Sequence, residues 1–536
     1  MFEMVPLIET AALICLVWSV GIVAVQLIGI GAVFRYYSRR PNPPVSSRLG
    51  QDAPAVTIIR PVKGIEPQLY ECIASTFRQD YPIDKVSIRL CIGDENDSAY
   101  PVLKKLVADF PAFDVQVLVE SRDPALHGPA AYLNLGPNPK IRNISRAYRE
   151  AKGDIVWIID CNVWASSGVL GRMVDKLAGI ADGQRSVTPY KFVHQMPFLV
   201  DTVDDGIGPS SPTSQATVPP AAETSPGAEP SRAATDGAIM RICRNGGGRL
   251  DEMFFGTTHV KFYGAINAVG VAPCIVGKSN MFRKSHLDQV TTPSRNPLIA
   301  NSLVRPTGVD YFSHNICEDH LIGDLLWRSE IPGHQNHGMV WGDLAVQPMV
   351  GMSVAAYAAR RIRWLRARKF TVLVATLVEP GVESLVCCGY LSFAVTTLPW
   401  FRAHLGIPQT WIATALIWVA CVMAWMSVDR IVFGLLHAGN TVEVDDDTPP
   451  FARGTSHAAG KTRRAFGSWC LAWLGRELLA LPVWTWAVLL GTTVKWRGKT
   501  FDVRLDTSVV EVTEKTLARK GSRTPELERA SKDRLD

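Results

Sequence analysis

Apolar residues fall along this chain in two regimes. Residues 10–34 contain no charged side chain, a run long enough to cross a bilayer, which takes about 20 apolar residues. Three further apolar stretches occupy 370–400, 408–436 and 468–494. Only the second is nearly clean; the first carries Glu379, Pro380 and Glu383, and the third Arg476, Glu477 and Pro482. Ionisable groups at membrane depth are costly and default to a paired or functional role. Each of these two stretches is therefore either a span with buried polar groups or a segment at the membrane edge. In between, residues 52–350 alternate short β-branched runs with helical stretches, the pattern of an α/β domain. Strands are predicted at 56–60, 86–92, 115–119 and 155–159, and helices at 67–79, 100–110 and 143–151.

The pattern divides the chain into an N-terminal transmembrane anchor at 1–40, an α/β domain at 52–369, membrane or interfacial helices at 370–494 and a polar tail at 495–536. A cleaved signal peptide is the competing reading of the first part. Against it, Glu3 and Glu9 precede the run without a basic residue, and the run exceeds the roughly 7 to 15 residues of a signal core. Residues 201–249 are rich in Pro, Ser, Thr, Ala and Gly and are expected to form a disordered insertion in a surface loop.

Composition fits a membrane protein: 47% of the 536 residues are hydrophobic, with 15 Trp. Arg35, Arg39 and Arg40 follow the first apolar run, and Arg360, Arg361, Arg363, Arg366, Arg368 and Lys369 precede the second. By the positive-inside rule the middle region lies in the cytosol, and the sequons Asn96-Asp97-Ser98 and Asn143-Ile144-Ser145 should carry no glycan. Lys495, Arg497 and Lys499 would hold the tail on the same side, whereas three complete C-terminal spans would put it on the other. One C-terminal segment is accordingly expected to be re-entrant or interfacial. The net charge of +6 gathers beside the apolar runs and points to anionic lipid rather than nucleic acid. Eleven cysteines without Cys-x-x-Cys spacing fit a reduced compartment and argue against a disulfide framework or structural zinc.

Candidate chemistry collects at strand ends, where ligands sit in open α/β sheets. Asp94 and Asp97 follow the run at 86–92; they could bond a nucleotide base and ribose, or form an ordinary Asp-rich turn. Asp160 ends the wholly apolar run at 155–159 and is poised for Mg2+ or Mn2+ or for capping a turn, with Asn162 two residues on. Glu318-Asp319 opens a helical pattern, either as a dipole-complementing cap or with Asp319 as a general base. Arg360-Arg361-Ile362-Arg363-Trp364 stands before an apolar stretch; it could be a topology signal, or Arg360 and Arg363 could grip a diphosphate while Trp364 floors an acceptor pocket. His259 is a lone histidine, structural or pocket-lining.

In order, Asp97, Asp160, Asp319 and Arg360-x-x-Arg363-Trp364 resemble the Asp, Asp, Asp, (Gln/Arg)-x-x-Arg-Trp signature of inverting family 2-like glycosyltransferases. More closely, the chain resembles their ceramide glucosyltransferase branch, of a fungal type. The likeness is carried by Arg60-Pro61-Val62-Lys63-Gly64, Gln79-Asp80-Tyr81-Pro82, Asn138-Pro139-Lys140-Ile141-x-Asn143, Asp160-x-Asn162, Gly277-Lys278-Ser279-Asn280-Met281-x-Arg283-Lys284, Glu318-Asp319 and Trp473-x-x-Arg476-Glu477. It implies a GT-A type domain anchored by one N-terminal and about three C-terminal membrane helices, in a Golgi membrane and facing the cytosol. The implied reaction moves glucose from UDP-glucose to the primary hydroxyl of ceramide, with inversion. The implied roles are Asp319 as base, Asp160 at the metal, Asp94, Asp97, Lys140, Arg360, Arg363 and Trp364 at the donor, and His259, Glu318 and Trp364 at the acceptor. Asn162 departs from a second Asp and weakens the metal motif. Residues 264–276, apolar and Gly-rich, would touch the membrane or shape the lipid entrance. The rival readings are a processive polysaccharide synthase, which generally has more spans and Gln-x-x-Arg-Trp, and a membrane scaffold or transporter with a degenerate enzyme domain.

Overall fold

The computed structural model describes residues 4–182, 187–203, 238–300, 305–457 and 463–512. After α1 (Met4–Tyr37) come β1 (Val56–Val62), α2 (Leu69–Ala74), β2 (Val86–Ile92), α3 (Tyr100–Asp109), β3 (Asp114–Val119), α4 (Pro139–Arg149), β4 (Ile155–Ile159), α5 (Val169–Ala178) and β5 (Tyr190–Asp201). Next are α6 (Ala238–Asn245), α7 (Gly247–Phe254), a π-helical turn (Phe255–His259), α8 (Val260–Val269), β6 (Ser279–Arg283), α9 (Lys284–Val290), α10 (Glu318–Arg328), β7 (Gln335–Met349) and α11 (Val354–Arg368). The C-terminal part holds α12 (Leu373–Val378), α13 (Ser384–Thr397), α14 (Pro399–Leu405), α15 (Trp411–His437), α16 (Phe466–Trp484), β8 (Thr493–Trp496), β9 (Lys499–Val503) and β10 (Val509–Glu511).

Seven strands form one mixed sheet in the order β3-β2-β1-β4-β6-β5-β7. Strand β6 is antiparallel to β4 and β5, and the other neighbours are parallel. Strands β1, β2 and β4 are buried at every position, as strands covered on both faces must be. The chain runs outward from β1 to β2 and β3 and resumes on the other side at β4, so a crevice opens at the carboxyl ends of β1 and β4. Arg60, fully buried in β1, spans that crevice floor: its guanidinium donates to the carbonyls of Asp160 (2.7 Å), Val163 (2.9 Å) and Cys72 (2.6 Å). It thereby fixes the loop that presents Asp160.

Strands appear at 86–92 and 155–159 as the pattern predicts, and β1 continues to Val62. The helix expected at 143–151 begins earlier, at Pro139. Asn138 caps it by accepting from the N–H groups of Lys140 (2.8 Å) and Ile141 (3.1 Å), and proline suits the first position. The helix expected at 67–79 shortens to α2, where the hydroxyls of Ser75 and Thr76 bond the carbonyls of Cys72 and Ile73 and compete with the helical ladder. Both ends of the stretch expected to form a disordered insertion, 201–249, are folded. Asp201 is a buried residue of β5, pairing with Arg464 (3.1 Å), and α6 begins at 238 and α7 at 247; residues 204–237 lie outside the described residues.

Helices α1 (over Leu7–Tyr37) and α15 are long and apolar enough to cross a membrane. A third candidate is the pair Leu373–Val382 and Ser384–Thr397, bent by 69°, the geometry of a broken span or re-entrant segment. Among the described residues the expected count of about three C-terminal spans is therefore not reached. The charges of the first and third stretches are paired, some with one another and one with α11. Arg476 donates to Glu383 (2.7 Å) and binds Glu477, which accepts from the N–H of Ser384 (3.2 Å), while Glu379 binds Arg361 (3.4 Å) and Arg368. The tail expected to be polar from 495 is folded as far as 512. Strands β8, β9 and β10 form an antiparallel sheet that buries Val494, Phe501, Val503 and Val509 beside Ile316, Phe370 and Trp496. Residues 513–536 lie outside the described residues.

Candidate active site

A cavity of about 440 Å³ opens at the carboxyl ends of β1 and β4. Asp160, from the end of β4, and Glu318 and Asp319, from the first turn of α10, line one side together with Lys140 from the first turn of α4. Lys140 Nζ lies 2.9 Å from Asp319, 3.3 Å from Glu318 and 3.4 Å from Asp160. Asn138 joins the two helix starts, donating to Glu318 (3.0 Å) and to the carbonyl of Asn315 (2.5 Å). Asn143 donates to the Cys91 carbonyl (3.0 Å) and so ties α4 to the end of β2. The motif from Asn138 to Asn143 is thus the clamp that aims Lys140.

Burial opposes the charge of Lys140, yet Asp160, Asp319 and Glu318 together hold its pKa well above the usual lysine value. Burial also works against ionised Asp160, but Lys140 and Lys278 bring its pKa down to about 2. Glu318 moves upward, through burial and then through the neighbouring Asp319. Lys278, reached by the turn before β6, lies 3.1 Å from Asp160. Its neighbour Gly277 leaves room for Asp319: a Cβ there would stand 1.8 Å from Asp319 Oδ2.

The facing side comes from α11 and the π-helical turn. Trp364 meets Phe255 edge-on at 5.7 Å, and the Arg360 guanidinium lies over the Trp364 ring at 4.5 Å. Arg360 Nε is also 3.0 Å from the buried Asp251 carboxylate, so this arginine is committed to bracing Trp364. Among the described residues no carboxylate comes within ion-pair distance of Arg363, which lines the same cavity. Burial and then Arg360 push the Arg363 pKa down, the condition of a cation awaiting an anion. His259 stacks on Tyr263 at 5.1 Å, and its Nδ1 is buried without a hydrogen-bond partner. Burial, then Arg361 and Arg368, bring it down to about 3, so it is neutral at ordinary pH.

The structure brings Asp160, Lys140, Glu318, Asp319, His259, Arg360, Arg363 and Trp364 onto one cavity. It does not bring Asp94 or Asp97 there. Asp97 accepts from the N–H groups of Gly64 (2.9 and 3.1 Å) and Ala99 (3.0 Å), and Asp94 from Asn96 (2.8 Å). Both act as turn carboxylates, Asp97 holding the loop after β1. Sequence reasoning missed Glu66, Lys278, His320, Trp496 and Arg497, all on the cavity wall. The signal for the last two was present: Val494, Trp496, Phe501 and Val503 alternate about Arg497-Gly498 as a hairpin does.

Among the described residues no three His, Cys, Asp or Glu side chains are grouped to hold a metal by themselves. The donor set nevertheless suits a divalent ion shared with a phosphate ligand. Asn162 Oδ1, beside Asp160 in sequence, is buried without a partner while its Nδ2 donates to Glu66 (3.2 Å). Mg2+ in particular is commonly bound by one or two carboxylates plus phosphate oxygens and water.

The sequence profile of glycosyl transferase family 21 matches residues 14–202 and 239–509. A ceramide glucosyltransferase of Pyricularia oryzae is 56% identical over 502 residues, covering 92% of this chain and 94% of the relative. One of Gibberella zeae is 52% identical over 540 residues, covering 99% and 100%. Among solved structures, a mannosyltransferase from Pyrobaculum calidifontis in complex with GDP-Man and Mn2+ is 13% identical, covering 81% of this chain and 98% of that one, with a TM-score of 0.37.

Proposed function

This chain belongs to glycosyl transferase family 21, and we propose that it transfers glucose from UDP-glucose to the primary hydroxyl of ceramide, with inversion. The observation that carries the reading is the single cavity in which Asp160, Glu318 and Asp319 face Arg363 and Trp364. We assign the general base to Asp319. Lys140, bonded to both of its oxygens (2.9 and 3.1 Å), aims that carboxylate as it takes the proton of the attacking hydroxyl. A positioned base of this kind contributes about 10²–10⁴-fold. Arg363 grips the diphosphate, and Asp97 serves the donor through the Gly64 loop it holds. Asp160 and Asn162 would hold Mg2+ or Mn2+, which supplies charge neutralisation at the leaving diphosphate when bound.

The acceptor reaches the cavity from its aromatic side, past His259 and Trp364. The π-helical turn that carries His259 packs against α15, and α8 packs against α1, so this side adjoins the two candidate spans. That arrangement suits a water-insoluble acceptor whose chains stay in the bilayer while a soluble nucleotide enters from the aqueous side. We place the aqueous side in the cytosol, from the basic flanks of the apolar runs, and the protein in a Golgi membrane, the compartment its family resemblance implies.

The test is transfer by the purified protein from labelled UDP-glucose and UDP-galactose, side by side, with ceramide as acceptor. Label in the lipid extract, with glucose preferred, is the expected outcome; label in insoluble polymer overturns the reading.

A further inference from the structure

The β8–β9 hairpin turns on Arg497-Gly498, with φ values of 49° and 82°. Trp496 pairs with Lys499, so the loop has two residues, both left-handed, the backbone of a type I′ turn that favours Asn-Gly. A long side chain in the first position runs against local preference. Non-glycine residues in such conformations persist where surrounding structure holds them, and they cluster at functional sites. Here the side chain joins the wall of the cavity beside Asp160, Lys278 and Arg363. Among the described residues no carboxylate lies within ion-pair distance of Arg497.

The sheet that carries the turn is fastened to the site. The N–H of Val509 donates to the His314 carbonyl (2.8 Å), and Asn315 donates to the carbonyl of Thr507 (3.0 Å), a few residues before Glu318-Asp319. Arg366 of α11 donates to the carbonyl of Thr493 (2.9 Å). Most of the cavity's other cations are engaged, Lys140 and Lys278 by carboxylates, Arg360 by Asp251, and Arg361 and Arg368 by Glu379, while Lys63 after β1 lines the cavity without an ion pair among the described residues. We propose that Arg497, presented by the C-terminal hairpin, is a second arginine ligand of the donor diphosphate, acting with Arg363. The inference rests on the donor-site reading above and adds a residue from beyond the last apolar helix to it.

The test is calorimetric binding of UDP and of uridine to the full-length purified protein, wild type against Arg497→Asn and Arg497→Lys. Asparagine suits the turn, so Arg497→Asn should unfold at an unchanged or higher temperature. It should bind UDP about 10- to 100-fold more weakly, the scale of a lost charged hydrogen bond, and bind uridine as before. Arg497→Lys should recover part of the loss. Unchanged UDP affinity in Arg497→Asn overturns the inference and leaves the donor site standing, and equal weakening of UDP and uridine would make the hairpin merely structural. Failure of the wild type to bind UDP overturns the donor reading and this inference together.

Discussion

Lys261 on α8 and Asp429 on α15 meet at 2.5 Å with neither side chain exposed, while Lys140 meets Asp319 at 2.9 Å on the wall of a cavity. Both are buried lysines beside aspartates, but their surroundings differ. Asp429 also accepts from the Trp473 indole (2.8 Å), and Lys261 lies over the Trp425 ring. One cation meets one anion there, with an indole against each. Around Lys140 and Lys278 there are three carboxylates, and the side chains of Asp160 and Asp319 keep 24% and 21% of their exposure. A closed, balanced pair joins two helices. An open, unbalanced cluster retains capacity for a proton, a cation or a substrate hydroxyl.

The sharpest way to break this contrast is Asp319→Asn. Turnover should fall about 10²–10⁴-fold with the unfolding temperature and UDP binding retained; full activity would reduce Asp319 to a helix cap. Next is Lys261→Met, which leaves Asp429 buried without its cation and should cost about 3–5 kcal/mol of stability. The double variant Lys261→Met/Asp429→Leu should cost less, and the activity of the folded fraction should hold in both, as denaturant melts and normalised rates would register. Gly277→Ala should lower kcat about 10- to 100-fold by displacing Asp319, with little change in the melt.

The smallest effect concerns His259, whose pKa falls from about 6.5 unfolded to about 3 in the fold. Its folded pKa is the lower one, so its contribution is fully present above pH 6.5 and is lost as pH falls toward 3. His259→Gln should therefore remove about one proton of uptake on unfolding across that window, read from stability curves at several pH values.

The sheet strands and the acidic strand end were legible because they are local: β4 is five apolar residues followed by Asp160. Asp319 was legible only within an ordered motif, since its meaning depends on Lys140, which is 179 residues away in sequence. The separate roles of the two arginines were not legible. Arg360 and Arg363 look alike in sequence, and only the approach of Asp251 distinguishes the brace from the available cation. The charges in the apolar stretches left two readings open, buried polar groups or a membrane edge; Glu383 pairs with Arg476, 93 residues apart, a contact that sequence proximity could not reveal. The hairpin at Arg497 was overlooked because its polar turn outweighed the alternation on either side of it.

We propose that one cavity moves a sugar directly from nucleotide to lipid, with Asp319 as the base. The most direct measurement is the anomeric configuration of the product that the purified protein makes from UDP-glucose in ceramide-containing vesicles. A single displacement predicts a β-linked glucosyl lipid; an α-linked product, or sugar found only in polymer, would rule out direct transfer by Asp319.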